Sequence, residues 1–306
     1  MNSVKVRIGT RGSLLARRQA DWVQSALESY GITAEIVEIS TSGDKTQAGP
    51  IADIGLQGVF TKEIQRALLE NTIDLAVHSL KDLPTEPVAG LMFAAAPLPG
   101  PRRDVFLSPK ADSLGNLPIE AVIGTGSVRR KAQILHHFPE KRFRVTDIRG
   151  NVETRLKKLD SGDYDAIILA EAGLTRLGLT DRITSPLEPP FFLPAVGQGI
   201  LGIETRTEDT ESIRIAGRLN HPETFAAAVA ERTLLAALRG GCLAPVAALA
   251  EKTAEHRLRL HARVFSPDGG QMLDATRLGD LRAAEELGRS VAEELLLSGA
   301  ESLLRP

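Results

Sequence analysis

Cysteine is all but missing: Cys242 stands alone in 306 residues. That excludes an internal disulfide and a cysteine-based zinc site, and it fits a reducing compartment. Aromatic residues make up only 4%, which leaves few platforms for base stacking. Formal net charge is -2, so the molecule as a whole has no pull on nucleic acid, and any basic site must be a local concentration of Arg and Lys. The chain reaches the strand-like Val4–Ile8 almost at once and lacks the apolar segment of a signal peptide or membrane helix. These absences predict a cytoplasmic protein that uses neither membrane nor nucleic acid. What is present is ordinary for a folded soluble chain, 42% hydrophobic and 25% charged. The length suggests about two or three domains.

Val4 to Thr10 read as a strand, with Ser13 as N-cap of a helix whose stripe is Leu15, Trp22, Val23, Ala26, Leu27 and Tyr30, ended by Gly31. A second strand over Ala34–Thr41 precedes a polar stretch, 42–58, with the composition of a mobile loop or lid. A helix over Thr61–Asn71 leads to the apolar run Leu75–Val77, and Leu91–Ala96 reads as another strand. Pro97, Pro99, Gly100 and Pro101 punctuate the chain like a hinge. A second β-α alternation follows, from Ala121–Ile123 to the strand Ala166–Ala170, and predicts a parallel sheet. Pro194–Gly199 is a second junction, before a strand over Ile200–Arg206. Two junctions around one alternation predict a middle domain inserted into the first, with ligand in the cleft between lobes. The remainder, a helix over Phe225–Leu238 stopped by Gly240-Gly241, a hairpin around Pro267–Gly270 and a closing helix through Leu295, reads as a small α+β domain.

Polar residues with binding capacity recur just past strand ends. Lys81 and Asp82 follow Leu75–Val77, where Pro84 forbids the strand from continuing. Arg11 with Ser13, Ser127 with Arg129 and Arg130, Arg149 with Arg155, and Gln198 in the second junction repeat the placement. In open α/β sheets ligands bind outside the carboxyl ends of the strands. Gly124-Thr-Gly-Ser127 before a helix exposes backbone N–H groups, and the arginines add bidentate carboxylate geometry, so the ligand should be polyanionic. The full G-x-G-x-x-G spacing and the P-loop lysine are missing, which speaks against a nucleotide. A solvated Lys-Asp turn is the plain alternative at 81–82. For Cys242 two readings stand side by side: a small buried hydrophobe, or an exposed thiol that is reactive or covalently modified beside Gly-Gly.

Together these stretches resemble the hydroxymethylbilane synthase, or porphobilinogen deaminase, family. The motifs are Ile8–Ala16, Gly43-Asp-Lys45, Phe60–Glu63, Ala76–Thr85, Gly124–Arg130, Arg149–Arg155, Leu193–Gly199 and Gly240-Gly-Cys242, and they run the length of the chain. The resemblance implies an α/β fold: two lobes like those of a type II periplasmic binding protein, 1–97 with 200–217 and the inserted 98–199, then a C-terminal α+β domain, 218–306. It implies a dipyrromethane cofactor joined by a thioether to Cys242, and no metal.

The implied transferase reaction joins four porphobilinogen units head to tail and releases hydroxymethylbilane by hydration, in tetrapyrrole and haem biosynthesis. Loss of ammonia gives a cationic azafulvene, and Asp82 is the matching carboxylate, expected to hold pyrrole N–H groups, offset positive charge and assist proton transfer. Carried over by motif, Ser13, Lys81, Asp82, Thr125, Ser127, Arg129, Arg130, Arg149 and Gln198 hold the cofactor. Arg11, Ser13, Arg149, Arg155 and Arg176 bind substrate. A monomer is expected. Arg239, Leu243 and Gln57 depart from the family pattern. A rival of another class is a two-lobed anion receptor or sensor, which would have no need of Gly-Gly-Cys.

Overall fold

The computed structural model describes residues 5–41, 61–240 and 244–304. Val4, the lid-like stretch 42–58 with Gly43-Asp-Lys45 and Gln57, Phe60, Gly241, Cys242 and Leu243 lie outside the described residues.

In chain order, β1 (Val6–Arg11), α1 (Leu14–Ser29) and β2 (Ala34–Ile39) make the opening β-α unit. Then come α2 (Lys62–Leu69), β3 (Leu75–Ser79) and β4 (Leu91–Ala95). The middle segment holds β5 (Asp104–Leu107), β6 (Val122–Gly124), α3 (Val128–His137), β7 (Arg144–Thr146), α4 (Val152–Asp160), β8 (Ala166–Ala170), α5 (Glu171–Leu177) and β9 (Ser185–Leu187). Last are β10 (Leu201–Arg206), α6 (Thr210–Gly217), α7 (Pro222–Ala237), β11 (Val246–Lys252), β12 (Arg257–Phe265), β13 (Met272–Asp280), α8 (Ala284–Leu297) and α9 (Ala300–Leu304). Contacts gather the chain into two compact units, 1–100 with 200–225 and 101–199 with 226–306.

The first unit is built on a sheet in the order β2-β1-β3-β10-β4, with β1 parallel to β2 and β3, and β10 antiparallel to both its neighbours. One face takes α1, where Ala20, Val23 and Leu27 pack on Ile8, Leu75 and Val77; Ile64 and Leu68 of α2 pack beside Ile73 and Ala76 in a separate cluster. Both faces are covered, which is why β3 reads as a continuous apolar run. The α1 stripe is displaced from the predicted one: Ala16, Gln19, Ala20, Val23 and Leu27 are buried, while Trp22 and Tyr30 are exposed. Large aromatic side chains dominated the sequence pattern, but the small residues Ala16 and Ala20 let the helix sit close to the sheet.

In the second unit the sheet runs β7-β6-β8-β5-β9. The prediction of a parallel sheet is corrected here: β6 is parallel to β7 and β8, but β5 is antiparallel to β8 and β9. The strand β5 is only four residues long and follows the Pro-rich stretch, so neither alternation nor length announced it. The α+β part is the antiparallel sheet β11-β12-β13 packed on α7 and α8 through Leu234, Leu260, Val264, Leu287 and Val291. A separate cluster of Ala132, Leu193, Ala247, Leu249 and Phe265 joins it to the middle segment within the same unit.

Candidate active site

At the carboxyl ends of β1 and β3 the first unit has a small open hollow, walled by Arg11, Ser13, Leu15, Ala16, Gln19, Thr61, Val77, His78, Ser79 and Asp82. The parallel register of β1 and β3, Gly9 beside Ala76, brings those strand ends together. Beyond β1, Ser13 caps α1 by accepting from the Ala16 N–H at 3.3 Å. Beyond β3, residues Leu80–Asp82 form a tight turn. Leu80 and Leu83 are buried, and the Leu80 N–H donates to the Ile200 carbonyl at 3.0 Å. With those two anchored inward, Lys81 is exposed and Asp82 is half-buried on the hollow. The first turns of α1 and α2 also reach the wall, through Ser13 and Thr61, and helix N-termini carry partial positive charge. The result is a hollow with one guanidinium, that of Arg11, and one carboxylate, that of Asp82, among the described residues of its wall.

Arg11, Ser13 and Asp82 were expected here and share the hollow; Lys81 is adjacent in the turn. Gln19, Thr61, His78 and Ser79 were missed. Gln19 Nε2 donates to Ser79 Oγ at 2.8 Å, tying helix to strand end. A glutamine between Ala16 and Ala20 on the buried face of α1 was the available signal, because a polar group there needs a partner.

The second unit repeats the arrangement. The register of Gly124 with Thr146 and with Ile167 aligns the carboxyl ends of β6, β7 and β8. Past β6, the Thr125 N–H donates to the Thr146 carbonyl at 2.9 Å and Ser127 caps α3. Past β7 come Arg149, then Gly150 with φ +108, then Asn151, which caps α4 by accepting from the Thr154 N–H at 2.9 Å. Arg155 reaches back so that its Nε donates to the Gly150 carbonyl at 2.9 Å.

Arg129 and Arg130 are buried and converge on Asp104 of β5. Arg130 donates to Asp104 Oδ1 through Nε at 3.0 Å and Nη2 at 2.7 Å; Arg129 Nη2 lies 2.8 Å from Oδ2. Gln198 joins them, donating from Nε2 to Asp104 Oδ1 at 3.0 Å and to the Arg102 carbonyl at 2.9 Å. Burial alone would raise the Asp104 carboxyl, but the two guanidiniums hold it down at about 2. Burial lowers Arg129 in turn, against the pull of Asp104. Two arginines on one aspartate leave one net positive charge beside the N-terminus of α3. Arg129 Nε and Gln198 Oε1 are buried with no hydrogen bond among the described residues.

Arg176, in α5 past β8, is mostly buried, and its Nη2 donates to the Gly199 carbonyl at 2.8 Å. Burial pushes its guanidinium down to about 10, and among the described residues no carboxylate answers it. A ligand carrying carboxylates would answer the Arg176 cation, and the spare charge at the buried Asp104 pair favours an anion nearby. The donors present therefore fit an oligopyrrole bearing acetate and propionate groups.

Residues 6–214 match the profile of the porphobilinogen deaminase dipyromethane cofactor binding domain, and 225–297 that of the porphobilinogen deaminase C-terminal domain. The chain belongs to the porphobilinogen deaminase family. It is 47% identical over 304 residues to the porphobilinogen deaminase of Gloeobacter violaceus, covering 98% of this chain and 92% of that one. To that of Desulforudis audaxviator it is 47% identical over 302 residues, covering 98% and 97%. Among solved structures, a nutrient binding protein from Burkholderia cenocepacia bound to methionine has a TM-score of 0.44 at 13% identity, covering 72% of this chain and 93% of that chain. The family's activity is that of hydroxymethylbilane synthase, a transferase, and its larger domain binds dipyrromethane.

Family membership also frames the end of α7. The helix stops at Ala237, and Arg239 itself takes φ +51 ahead of the glycines predicted to end it. Leu238 and Ala244, on either side of the undescribed span 241–243, are both packed in the α+β core. Both flanks of Cys242 are thus anchored.

Proposed function

We propose that Asp82 is the catalytic carboxylate for stepwise condensation of porphobilinogen, and that Cys242 carries the dipyrromethane. When bound, that group supplies the nucleophilic α carbon from which the chain grows. Ser13, Lys81, Asp82, Thr125, Ser127, Arg129, Arg130, Arg149 and Gln198 hold it, and Arg11, Ser13, Arg149, Arg155 and Arg176 receive substrate carboxylates. Asp82 accepts from pyrrole N–H groups and offsets the charge of the azafulvene cation left when ammonia departs. Beside the low-dielectric wall of the hollow, where Asp82 is half-buried, such an interaction is stronger than in bulk solution. The observation that carries this reading is the surplus of buried positive charge on the carboxyl edge of the second sheet, at Asp104 and Arg176. Among the described residues no helix is long and apolar enough to cross a membrane. We further propose a cytoplasmic monomer that binds no nucleic acid, with domains 1–97 plus 200–217, 98–199 and 218–306.

The test is intact-protein mass followed by turnover. An adduct of two pyrrole units is expected, and it disappears in Cys242→Ser. Asp82→Asn is expected to fold and keep the adduct yet turn over about a hundredfold more slowly, as for loss of one electrostatic group. An unmodified chain from cells making haem would remove Cys242 from its role, and near-normal turnover would do the same for Asp82.

A further inference from the structure

The strand β3 points Leu75 and Val77 into the α1 cluster and Ala76 into the α2 cluster, so His78 falls on the α2 side of the sheet. There its side chain is 3% exposed, and Nε2 lies 2.9 Å from Oε2 of Glu204, itself 8% exposed, on the neighbouring strand β10. Gln65 of α2 donates from Nε2 to both Glu204 oxygens at 3.2 Å. An acid this deep is costly unless its position has a use. Its histidine partner is part of the wall of the hollow that holds Asp82.

We propose that His78, oriented by Glu204, is the base that removes the proton released at each condensation. The inference rests on the reading of the Asp82 hollow as the condensation site. Asp82 cannot serve well alone, since a carboxylate that accepts the proton stops being the anion that steadies the cation. A neutral imidazole with its Nε2–H on the side of Glu204, 2.9 Å from Oε2 but not aligned as a hydrogen bond, keeps the lone pair of Nδ1 for a proton. In each round porphobilinogen enters as its ammonium form, and the C–N bond breaks with its electron pair going to nitrogen, which leaves as neutral ammonia. A ring π pair of the porphobilinogen-derived terminal pyrrole then forms the new C–C bond. The α C–H bond breaks, its pair returns to the ring, and the proton goes to Nδ1. The imidazolium, held by Glu204, passes that proton to the released ammonia, which becomes ammonium, and the base is restored. Low exposure of His78 keeps bulk water from competing for the proton.

The test uses the full-length holoenzyme, with wild type, His78→Asn, Glu204→Gln and Asp82→Asn side by side. Nitrogen-15 NMR of the labelled imidazole should show the Nε2–H tautomer in wild type and a mixture in Glu204→Gln, a readout that does not depend on turnover. With porphobilinogen carrying deuterium at its free α carbon, His78→Asn is expected to lose about a hundredfold in kcat, within the range for a general base. It should keep KM and the adduct, and acquire a primary isotope effect that wild type lacks. Glu204→Gln, a near-isosteric change, should show a smaller loss with the same isotope effect. Turnover of His78→Asn within threefold of wild type while Asp82→Asn is slow overturns the base and leaves the hollow's role standing. Normal turnover in both variants removes both. A slow His78→Asn that melts early and shows no isotope effect assigns His78 to structure alone and overturns the proposal, as does an Nδ1–H tautomer in wild type.

Discussion

A guanidinium that is mostly buried needs a counter-charge, and the described residues offer Arg176 only the Gly199 carbonyl. Arg176→Met keeps the length of the side chain and removes the desolvated charge. We expect it to leave unfolding free energy unchanged or to raise it by about 1 kcal/mol, while KM for porphobilinogen rises about tenfold, a loss of about 1.4 kcal/mol in binding. Urea titration and steady-state kinetics check the pair; a destabilised variant with normal KM would contradict it. Asp104 is the opposite case, a buried anion already matched by two cations. Its folded carboxyl titrates near 2 and the unfolded one near its ordinary 3.8, so its contribution is complete above about pH 4 and is lost as pH falls from there to about 2. That difference amounts to about 2 kcal/mol. Asp104→Asn should cost about 3–5 kcal/mol at pH 7, because it strands two buried cations. It should also lose less stability than wild type between pH 4 and 2, and parallel acid denaturation curves would refute the assignment. The arginine pair was visible in Val128-Arg-Arg130, but its partner was not. Asp104 lies 25 positions before Arg129 on a strand without periodicity, and only the fold brings them together.

Elements with strong local rules were readable, and those that depend on neighbours were not. Ser13, Ser127 and Asn151 cap helices because their short side chains satisfy N–H groups locally, and Ser13 and Ser127 stood out in sequence as polar residues before helical stripes. By contrast β11, Val-Ala-Ala-Leu-Ala-Glu-Lys, has the composition of a helix. It is a strand because β12 pairs with it over its whole length, from Val246 beside Val264 to Lys252 beside Leu258. The loop between β7 and α4 shows how tightly a local rule can hold a site residue. Gly150 has φ +108, and a Cβ there would sit 2.7 Å from Cβ and Cγ2 of Thr154. Gly150→Ala therefore suffers both backbone strain and overlap, an expected loss of about 2–4 kcal/mol. It also displaces Arg149, so intermediates with bound pyrroles should accumulate, visible by intact mass. A variant as stable as wild type with an unchanged intermediate pattern would show that the loop does not position Arg149.

Each of the two units is assembled from segments distant in sequence, so cooperativity is a property of packing and not of chain order. The α+β part has its own core around Leu234, Leu260 and Val291, yet it shares the cluster of Ala132, Leu193, Ala247, Leu249 and Phe265 with the middle segment. One turn completes that joint. The Gly269 carbonyl lies 2.9 Å from Nδ1 of His136 on α3, and the Phe265 ring meets His136 edge-on at 5.6 Å. Gly269 has φ +74, and a Cβ there would lie 2.6 Å from the Ala132 carbonyl oxygen and 2.8 Å from the His136 nitrogen, both backbone atoms that cannot swing aside. Gly269→Ala should thus push the turn off α3 without touching the first unit. The single tryptophan, Trp22, lies on α1 in that first unit and reports its unfolding alone, whereas far-ultraviolet circular dichroism follows both units. We expect Gly269→Ala to leave the Trp22 fluorescence midpoint in place and to split the remaining dichroism transition, with residues 226–306 melting at lower denaturant than 101–199. A joint shift of both signals would mean that the units unfold together, and an unsplit, unshifted dichroism curve would mean that the Gly269 turn does not couple the two parts.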